Sequence, residues 1–215
     1  ISSNMLDGIE VTKALTADKD GDAVGGIVDL KLKVADDESQ FNVMLLKGYA
    51  SHENTFLPFK GNMNYSNRYF GKKLGVVVSA NYEIADRSSD QFSADYGVQG
   101  DLESGQTYRQ DIITNSVTLL DVQNQRQRIG GSLLLDYKFD QGLIKFNNIA
   151  SRLINETVTR NDRVATLSRE RRYNFIRNDN ATDFISNSLD GEFTVLGSNL
   201  KLLFSHSLSQ RDYLD

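Results

Sequence analysis

The sequence predicts an all-β protein, and three observations support this prediction. Apolar and polar residues alternate along several runs, which is the period of a strand with one buried face. The clearest run spans Leu74 to Ile84, where each even-numbered residue is apolar or aromatic. The 215 residues include one Pro and 16 Gly, a composition that suits many strands joined by tight turns.

Composition also excludes several classes of function. Because the chain has no Cys, it can form neither a disulfide framework nor a thiolate metal site. The formal net charge of -5 argues against a general nucleic-acid surface. No nucleophile paired with a base and no phosphate-binding loop is visible, so we expect neither an enzyme nor a bound cofactor. No run approaches the roughly 18 apolar residues of a membrane helix, whereas a membrane β-barrel needs only alternate apolar residues.

The first predicted strands lie within residues 6–33. Two short apolar-alternating runs, Gly8 to Lys13 and Gly26 to Val34, are separated by an acidic, turn-rich segment. Gly25 and Gly26 stand at the start of the second run. A left-handed or tight backbone is sterically unfavourable for residues with a side chain, and glycine adopts it readily. The stretch therefore predicts two strands joined by an acidic turn.

The acidic turn has the spacing of a calcium loop but not its other requirements. Asp18, Asp20 and Asp22 alternate as calcium ligands do, yet Ala23 stands where an EF-hand needs Gly, and no Glu ends the loop. We therefore predict no metal site here.

The stretch IEVTKALTADKDGDAVGGIVDLKLK resembles the end of the plug domain of TonB-dependent outer-membrane receptors. In that family, a strand with an Ile-Glu-Val core leads through a turn to a Gly-Gly pair and a final strand. The matching residues are Ile9, Glu10, Val11 and Lys13 in the first element and Gly25, Gly26, Val28 and Leu32 in the second. Two positions depart from the pattern, since the family often has Asn in place of Asp29 and Thr in place of Leu32.

The resemblance implies a fold and a function for the chain. Residues 1–35 would be the C-terminal part of a plug domain, and residues 36–215 about seven strands of a large antiparallel transmembrane β-barrel, which has 22 strands in the family. The receptor would take up a scarce nutrient, such as a metal chelate, cobalamin or an oligosaccharide, across the outer membrane of a Gram-negative bacterium. Its partners would be outer-membrane lipid, TonB through a segment not present here, and in some systems a surface lipoprotein.

Seven strands follow the plug-like stretch in the predicted order. They are residues 41–50, 59–66, 73–85, 127–139, 143–155, 182–196 and 199–209. The fifth changes phase between Phe146 and Ile149, which predicts a β-bulge near Asn147 and Asn148. Seven strands are too few to close such a barrel, and an open edge is not tolerated in lipid, so we expect further material to complete it.

The predicted connections alternate in length. Those near Arg68, Gln141 and Gly197 are short, whereas residues 86–124 and 156–177 form long polar segments. Short turns on one side and long loops on the other are expected of an outer-membrane barrel, and the long loops would face outward to capture ligand. Residues 123–128, QNQRQR, predict a strand extension above the membrane. The aromatic residues beside the short turns, where an interfacial girdle would lie, are Tyr65, Tyr137 and Phe139.

Two groups of charged residues are candidate binding sites. Arg169, Arg171 and Arg172, with Arg177 nearby, form a basic cluster that is either a solvated loop or a contact for an anionic ligand or lipid phosphate. Glu10 and Lys13 are candidates for polar contacts between the plug and the inner wall of the barrel.

Two other readings stay open. Strands with one polar face also describe a secreted or surface β-sandwich that binds a partner through its long loops. A passive porin-like channel would share the barrel pattern but lack a plug. The order of the plug-like stretch and the strands favours the receptor.

Overall fold

The computed structural model describes residues 6–12, 27–32, 34–99, 111–195 and 197–214. These residues form ten strands and contain no helix long and apolar enough to cross a membrane. The strands are β1 Leu6–Thr12, β2 Ile27–Leu32, β3 Gln40–Lys47, β4 Phe59–Tyr69, β5 Leu74–Asp86, β6 Ser89–Gln99, β7 Asp111–Phe139, β8 Gly142–Ala165, β9 Glu170–Val195 and β10 Ser198–Leu214. The all-β prediction is confirmed.

The first two strands form an antiparallel pair of their own. Glu10 lies opposite Asp29, and Val11 lies opposite Val28. The two strands predicted in the plug-like stretch are therefore present. Lys13, Gly25 and Gly26 lie outside the described residues, as does the acidic turn between the strands.

The other eight strands form one antiparallel sheet in the order β10-β9-β8-β7-β5-β4-β3, with β6 paired to β7. Strands β5 and β6 are collinear, because Asp86 opposite Gln125 and Ser89 opposite Val122 keep the same register along β7. The sheet thus has seven strand positions side by side, in agreement with the predicted number. Strands β3 and β10 are the two edges of the sheet within the described residues, so the sheet is not closed.

Both predicted long loops are wrong in large part, because strands extend into them. Strand β6 occupies residues 89–99 and pairs with the first half of β7. Strand β8 continues to Ala165, a four-residue turn follows, and β9 begins at Glu170. In β8 and β9 the sequence pattern fails because backbone pairing needs no apolar side chain, and a strand that buries neither face shows no period-2 hydrophobic signal. Strand β6 was missed for another reason, since Phe92, Ala94, Tyr96 and Val98 do alternate with polar residues within a largely polar stretch. The prediction that residues 123–128, QNQRQR, extend a strand is confirmed, because they belong to β7.

The predicted β-bulge near Asn147 and Asn148 is also wrong. The register of β8 is unbroken from Gly142 to Ala165 against both of its neighbours. The phase change has a simpler cause, since Ile149 lies on the opposite face from Phe146 and is buried there. The irregularity in the large sheet instead falls in β6, between Asp95 and Tyr96.

Strict alternation gives the large sheet two distinct faces. The apolar face carries Leu74, Val76, Val78, Ala80, Tyr82 and Ile84 of β5 and the residues in register with them. The polar face carries Gly75, Val77 and Ser79, which are buried, and their neighbours in register. The predicted short connections are confirmed at residues 70–73, at Asp140 and Gln141, and beside Gly197. All three lie at the same end of the strands.

Candidate functional site

A buried ion pair lies on the polar face beside the short turns. Arg68 Nη1 lies 2.8 Å from Asp136 Oδ2, and Arg68 Nη2 lies 3.3 Å from Oδ1, so the contact is bidentate. The side chains are only 3% and 8% exposed. Charge-assisted pairs of this geometry are strong, and removing one partner leaves an uncompensated buried charge.

The register of three strands explains this pair. Arg68 on β4, Gly75 on β5 and Asp136 on β7 lie in one cross-strand row. Because Gly75 has no side chain, the guanidinium group can cross over the middle strand. A Cβ atom at this position would collide with the Asp136 carboxylate and would lie 2.7 Å from Ala35 Cβ.

The pair holds the segment that precedes the sheet, residues 34–39, which we call the connector. Arg68 Nε donates a hydrogen bond of 3.1 Å to the Ala35 carbonyl. The Asp36 amide donates one of 2.9 Å to Ser66 Oγ. Ala35 itself is buried in a small cluster with Val77 and Leu134. The chain therefore enters the sheet along its polar face.

Asp37 adds a second, exposed ion pair to the connector. Lys72 Nζ lies 2.9 Å from Asp37 Oδ2, and Arg68 Nε lies 3.5 Å from Oδ1. The hydrogen bond from Lys72 and its positive charge lower the pKa of Asp37 below the usual 3.8. The pair is exposed to solvent, so its contribution to stability is small compared with that of the buried pair.

The polar face carries positive charge farther from the short turns. Arg126 and Arg128 alternate along β7, and Arg87 follows β5 opposite Asn124. Arg126 Nη2 lies 3.7 Å from Glu83 Oε1. Sequence reasoning identified Arg126 and Arg128 only as part of a strand extension, because their shared face depends on the register with β5.

The predicted arginine cluster does not form a single surface. Arg171 binds Asp162 through two contacts of 2.9 and 2.5 Å. Arg172 lies opposite Arg163 and therefore on the other face, and Arg169 stands in the turn with a φ of 56°. Binding of an anion by these residues stays a prediction.

The plug-like residues are placed only in part. Glu10 and Val11 are exposed residues of β1, and Ile9, which precedes them, lies opposite Leu30.

A polar cleft of about 440 Å³ lies between the loop that joins β3 to β4, the end of β5 and the middle of β7, β8 and β9. Its lining includes Asp86, Glu156 and Asp179, and Arg177 Nε lies 2.6 Å from Asp179 Oδ2. Within the described ranges, no group of three or more His, Asp or Glu side chains is arranged to hold a metal ion.

Comparisons with protein-family models, with curated proteins and with solved structures found no match to this chain. The family is therefore not identified by comparison.

Replacing Asp136 with Asn should lower the free energy of unfolding by about 3–5 kcal/mol, because Arg68 would keep a buried charge without its carboxylate. Guanidinium titration followed by circular dichroism measures the change. In the matched control, Arg68→Met combined with Asp136→Leu removes both charges and should be less destabilising than the single substitution. An Asp136→Asn variant as stable as the wild type would contradict the assignment.

Acid should weaken the attachment of the connector through Asp37. A carboxyl group with a lowered folded-state pKa contributes stability that is present above its unfolded pKa and lost as the pH falls through the folded value. The protection factor of the Asp36 amide, which is its exchange rate relative to an unfolded chain at the same pH, should therefore show no Asp37-dependent change between pH 7 and pH 5. It should fall as the pH drops below the usual carboxyl range. An Asp37→Asn variant should lack this acid-dependent part, and an identical profile in both proteins would refute it.

Proposed function

We propose that this chain forms part of the wall of an outer-membrane β-barrel in a TonB-dependent receptor that takes up a scarce nutrient. The observation that carries the proposal is the apolar face. Its side chains are exposed over the whole width of the sheet, including Phe41 at 64%, Leu45 at 68% and Phe204 at 70%. Soluble proteins rarely leave a continuous apolar surface of this size uncovered, whereas lipid covers it without cost.

The exposed apolar side chains form a band that crosses the sheet obliquely. On β4 the band begins at Phe59, which is in register with Asp212 on β10, but on β10 it begins four residues away, at Leu208. At its other border, Tyr69 of β4 is in register with Leu202, and the band on β10 continues two residues farther, to Leu200. With about 3.3 Å per residue and about 4.8 Å between strands, the two borders run at roughly 30° and roughly 15° to the cross-strand rows.

These angles are informative because the strands of a barrel are tilted in the membrane. A flat lipid layer crosses strands tilted by about 35–45° along an oblique line, so lipid-facing residues shift steadily from strand to strand. A face that packs on a second protein layer has no such requirement. The band therefore supports a tilted wall in a membrane.

Aromatic rings mark the border of the band beside the short turns. Phe139 lies at the end of β7, with ring centroids 6.5 Å from Tyr137 and 5.7 Å from Phe193 of β9. Tyr65 and Tyr69 of β4 place their hydroxyl groups 2.6 Å apart. Aromatic rings are favoured at the membrane–water interface, where they have an apolar and a polar neighbour.

Polar residues interrupt the band on β8, β9 and β10. Asn148, Asn187 and His206 lie in one cross-strand row. Asn148 Nδ2 donates a hydrogen bond of 2.5 Å to Asn187 Oδ1, which reduces the cost of placing both amides in an apolar layer.

The polar face would line the interior of the barrel. The connector enters on this face, where Arg68 holds it. A plug would occupy the same side of the wall. Strands β7, β8 and β9 extend well beyond the band at the end opposite the short turns. These strand ends would project from the membrane as the ligand-capturing surface. Uptake would need no covalent chemistry from this chain. TonB would act through a segment not present here, and the nutrient would be a metal chelate, cobalamin or an oligosaccharide.

The first test of this function is the location and mass of the native polypeptide. Outer membranes are separated, and the band that contains these peptides is sequenced. A band several times heavier than 24.1 kDa in the outer membrane supports the receptor. A species of about this mass that is stable without detergent would refute it and favour a β-sandwich binding module, whereas an outer-membrane protein that lacks an internal plug would favour a passive channel.

Reversing the charge of Glu10 tests the role of the plug-like strand. Contacts between plug and wall must be polar and reversible in a hydrated interior, so Glu10→Lys should reduce plug retention and nutrient uptake. Glu10→Gln is the matched control, because it keeps the size and hydrogen-bonding capacity and should have a smaller effect. Unchanged retention and uptake in Glu10→Lys would count against the proposal.

A further inference from the structure

The geometry points to an anion-binding site on the polar face, formed by Arg87, Arg126 and Arg128, for a ligand with two or more negatively charged oxygens. The inference deepens the proposed function by naming the charge class of a ligand that the wall would contact. It rests on that function only for the claim that the ligand is transported.

The three side chains converge because of the register between β5 and β7. Arg128 lies opposite Glu83, and Arg126 lies opposite Ala85. The backbone amide of Arg87 donates a hydrogen bond of 2.8 Å to the carbonyl of Asn124, so β7 pairing continues past the end of β5. Residues two apart on a strand share a face, which places Arg87 beside Arg126 and Arg128.

Positive charge exceeds negative charge at this position. Lys60 of β4 is in register with Glu83 and Arg128, so Glu83 is the one carboxylate in the two cross-strand rows that carry Lys60, Arg126 and Arg128. Glu83 Oε1 lies 3.7 Å from Arg126 Nη2, beyond hydrogen-bonding distance. Like charges on neighbouring strands repel one another, and an anion would relieve this repulsion.

Arg126 is the centre of the site. Its side chain is 20% exposed, and its buried Nε has no hydrogen-bond partner in the described residues. Burial and the charges of Arg87 and Arg128 lower the pKa of Arg126, which lies beyond the apolar band. A buried guanidinium N–H without an acceptor is costly, and a carboxylate or phosphate oxygen would satisfy it.

The surroundings of Arg126 are polar but uncharged on the side of β8. Asn124 Nδ2 donates hydrogen bonds of 3.1 Å to Asn155 Oδ1 and 2.6 Å to Thr157 Oγ1. These groups satisfy one another and leave the arginines without a carboxylate from β8.

The apolar-face arginines provide the contrast. Arg160 lies 2.7 Å from Asp121, and Arg171 lies 2.5 Å from Asp162. Their charges are already neutralised, so the excess charge is a property of the polar face at Arg126 and not of arginine in general.

The test is isothermal titration of pyrophosphate into the protein in neutral detergent micelles. Wild-type protein should bind, and Arg126→Gln and Arg128→Gln should each weaken binding by roughly tenfold to a hundredfold, the scale of one lost charge-assisted contact. Arg160→Gln is the matched control and should bind as the wild type does. Glu83→Gln should bind more tightly, because it removes the repelling carboxylate. Arg128→Lys keeps the charge and should fall between wild type and Arg128→Gln.

A second arm separates free anions from lipid headgroups, which offer the same charged oxygens. Vesicles that contain lipid A replace pyrophosphate, and binding to them should not depend on Arg126 or Arg128. Loss of vesicle binding alone in these variants would overturn the proposal, as would equal pyrophosphate binding by wild type, Arg126→Gln and Arg128→Gln. Circular dichroism of each variant verifies folding, and Arg128→Lys with Glu83→Gln keeps the test decisive if Arg126→Gln does not fold.

This experiment can fail independently of the proposed function. Pyrophosphate binding that depends on Arg126 in a protein absent from the outer membrane would uphold the site and refute the receptor. An outer-membrane receptor that does not bind pyrophosphate would refute the anion-binding site and uphold the receptor.

Discussion

The unbroken antiparallel register from β3 to β10 is the constraint on which the rest of the structure depends. Pairing proceeds without a shift through β4, β5, β7, β8 and β9, so each residue keeps its face across the whole sheet. A slip of one residue at any strand would exchange the two faces beyond that point. The same register therefore produces the apolar band, the row that joins Arg68 to Asp136 over Gly75, and the convergence of Arg126 with its neighbours.

Charged residues beyond the apolar band are arranged differently on the two faces of the sheet. Beyond the band, the arginines of the apolar face are paired with aspartates, as Arg160 is with Asp121. On the polar face, Arg68 and Asp136 form a buried pair, Lys201 lies 3.1 Å from Glu192 in an exposed one, and positive charge is in excess around Arg126. A face that is solvated needs no excess charge, whereas a face that meets an anionic ligand uses it.

Much of the fold could be predicted from the sequence, and less of the site. Alternation identified the strands near Leu74 and Ile129, where one face is apolar. It failed for the far halves of β7, β8 and β9, because polar strands without a buried face carry no such signal. Strand β6 was missed although Phe92, Ala94, Tyr96 and Val98 alternate with polar residues. Ile149 was misleading because an apolar residue on the polar face mimics a change of phase. Neither charged cluster on the polar face could be predicted, since Arg68 and Asp136 are distant in sequence and meet only through pairing of β4, β5 and β7.

The most direct test of the central claim asks which face meets lipid. Because the chain has no Cys, single Cys substitutions at Ile185, Ser186, Ser188 and Leu189 of β9 can each carry a spin label in a reconstituted bilayer. The account predicts that oxygen, which concentrates in lipid, relaxes the labels at Ile185 and Leu189, while a water-soluble nickel chelate relaxes those at Ser186 and Ser188. Equal access of the nickel chelate to all four labels, or protection of Ile185 and Leu189 from both reagents, would contradict a lipid-facing wall.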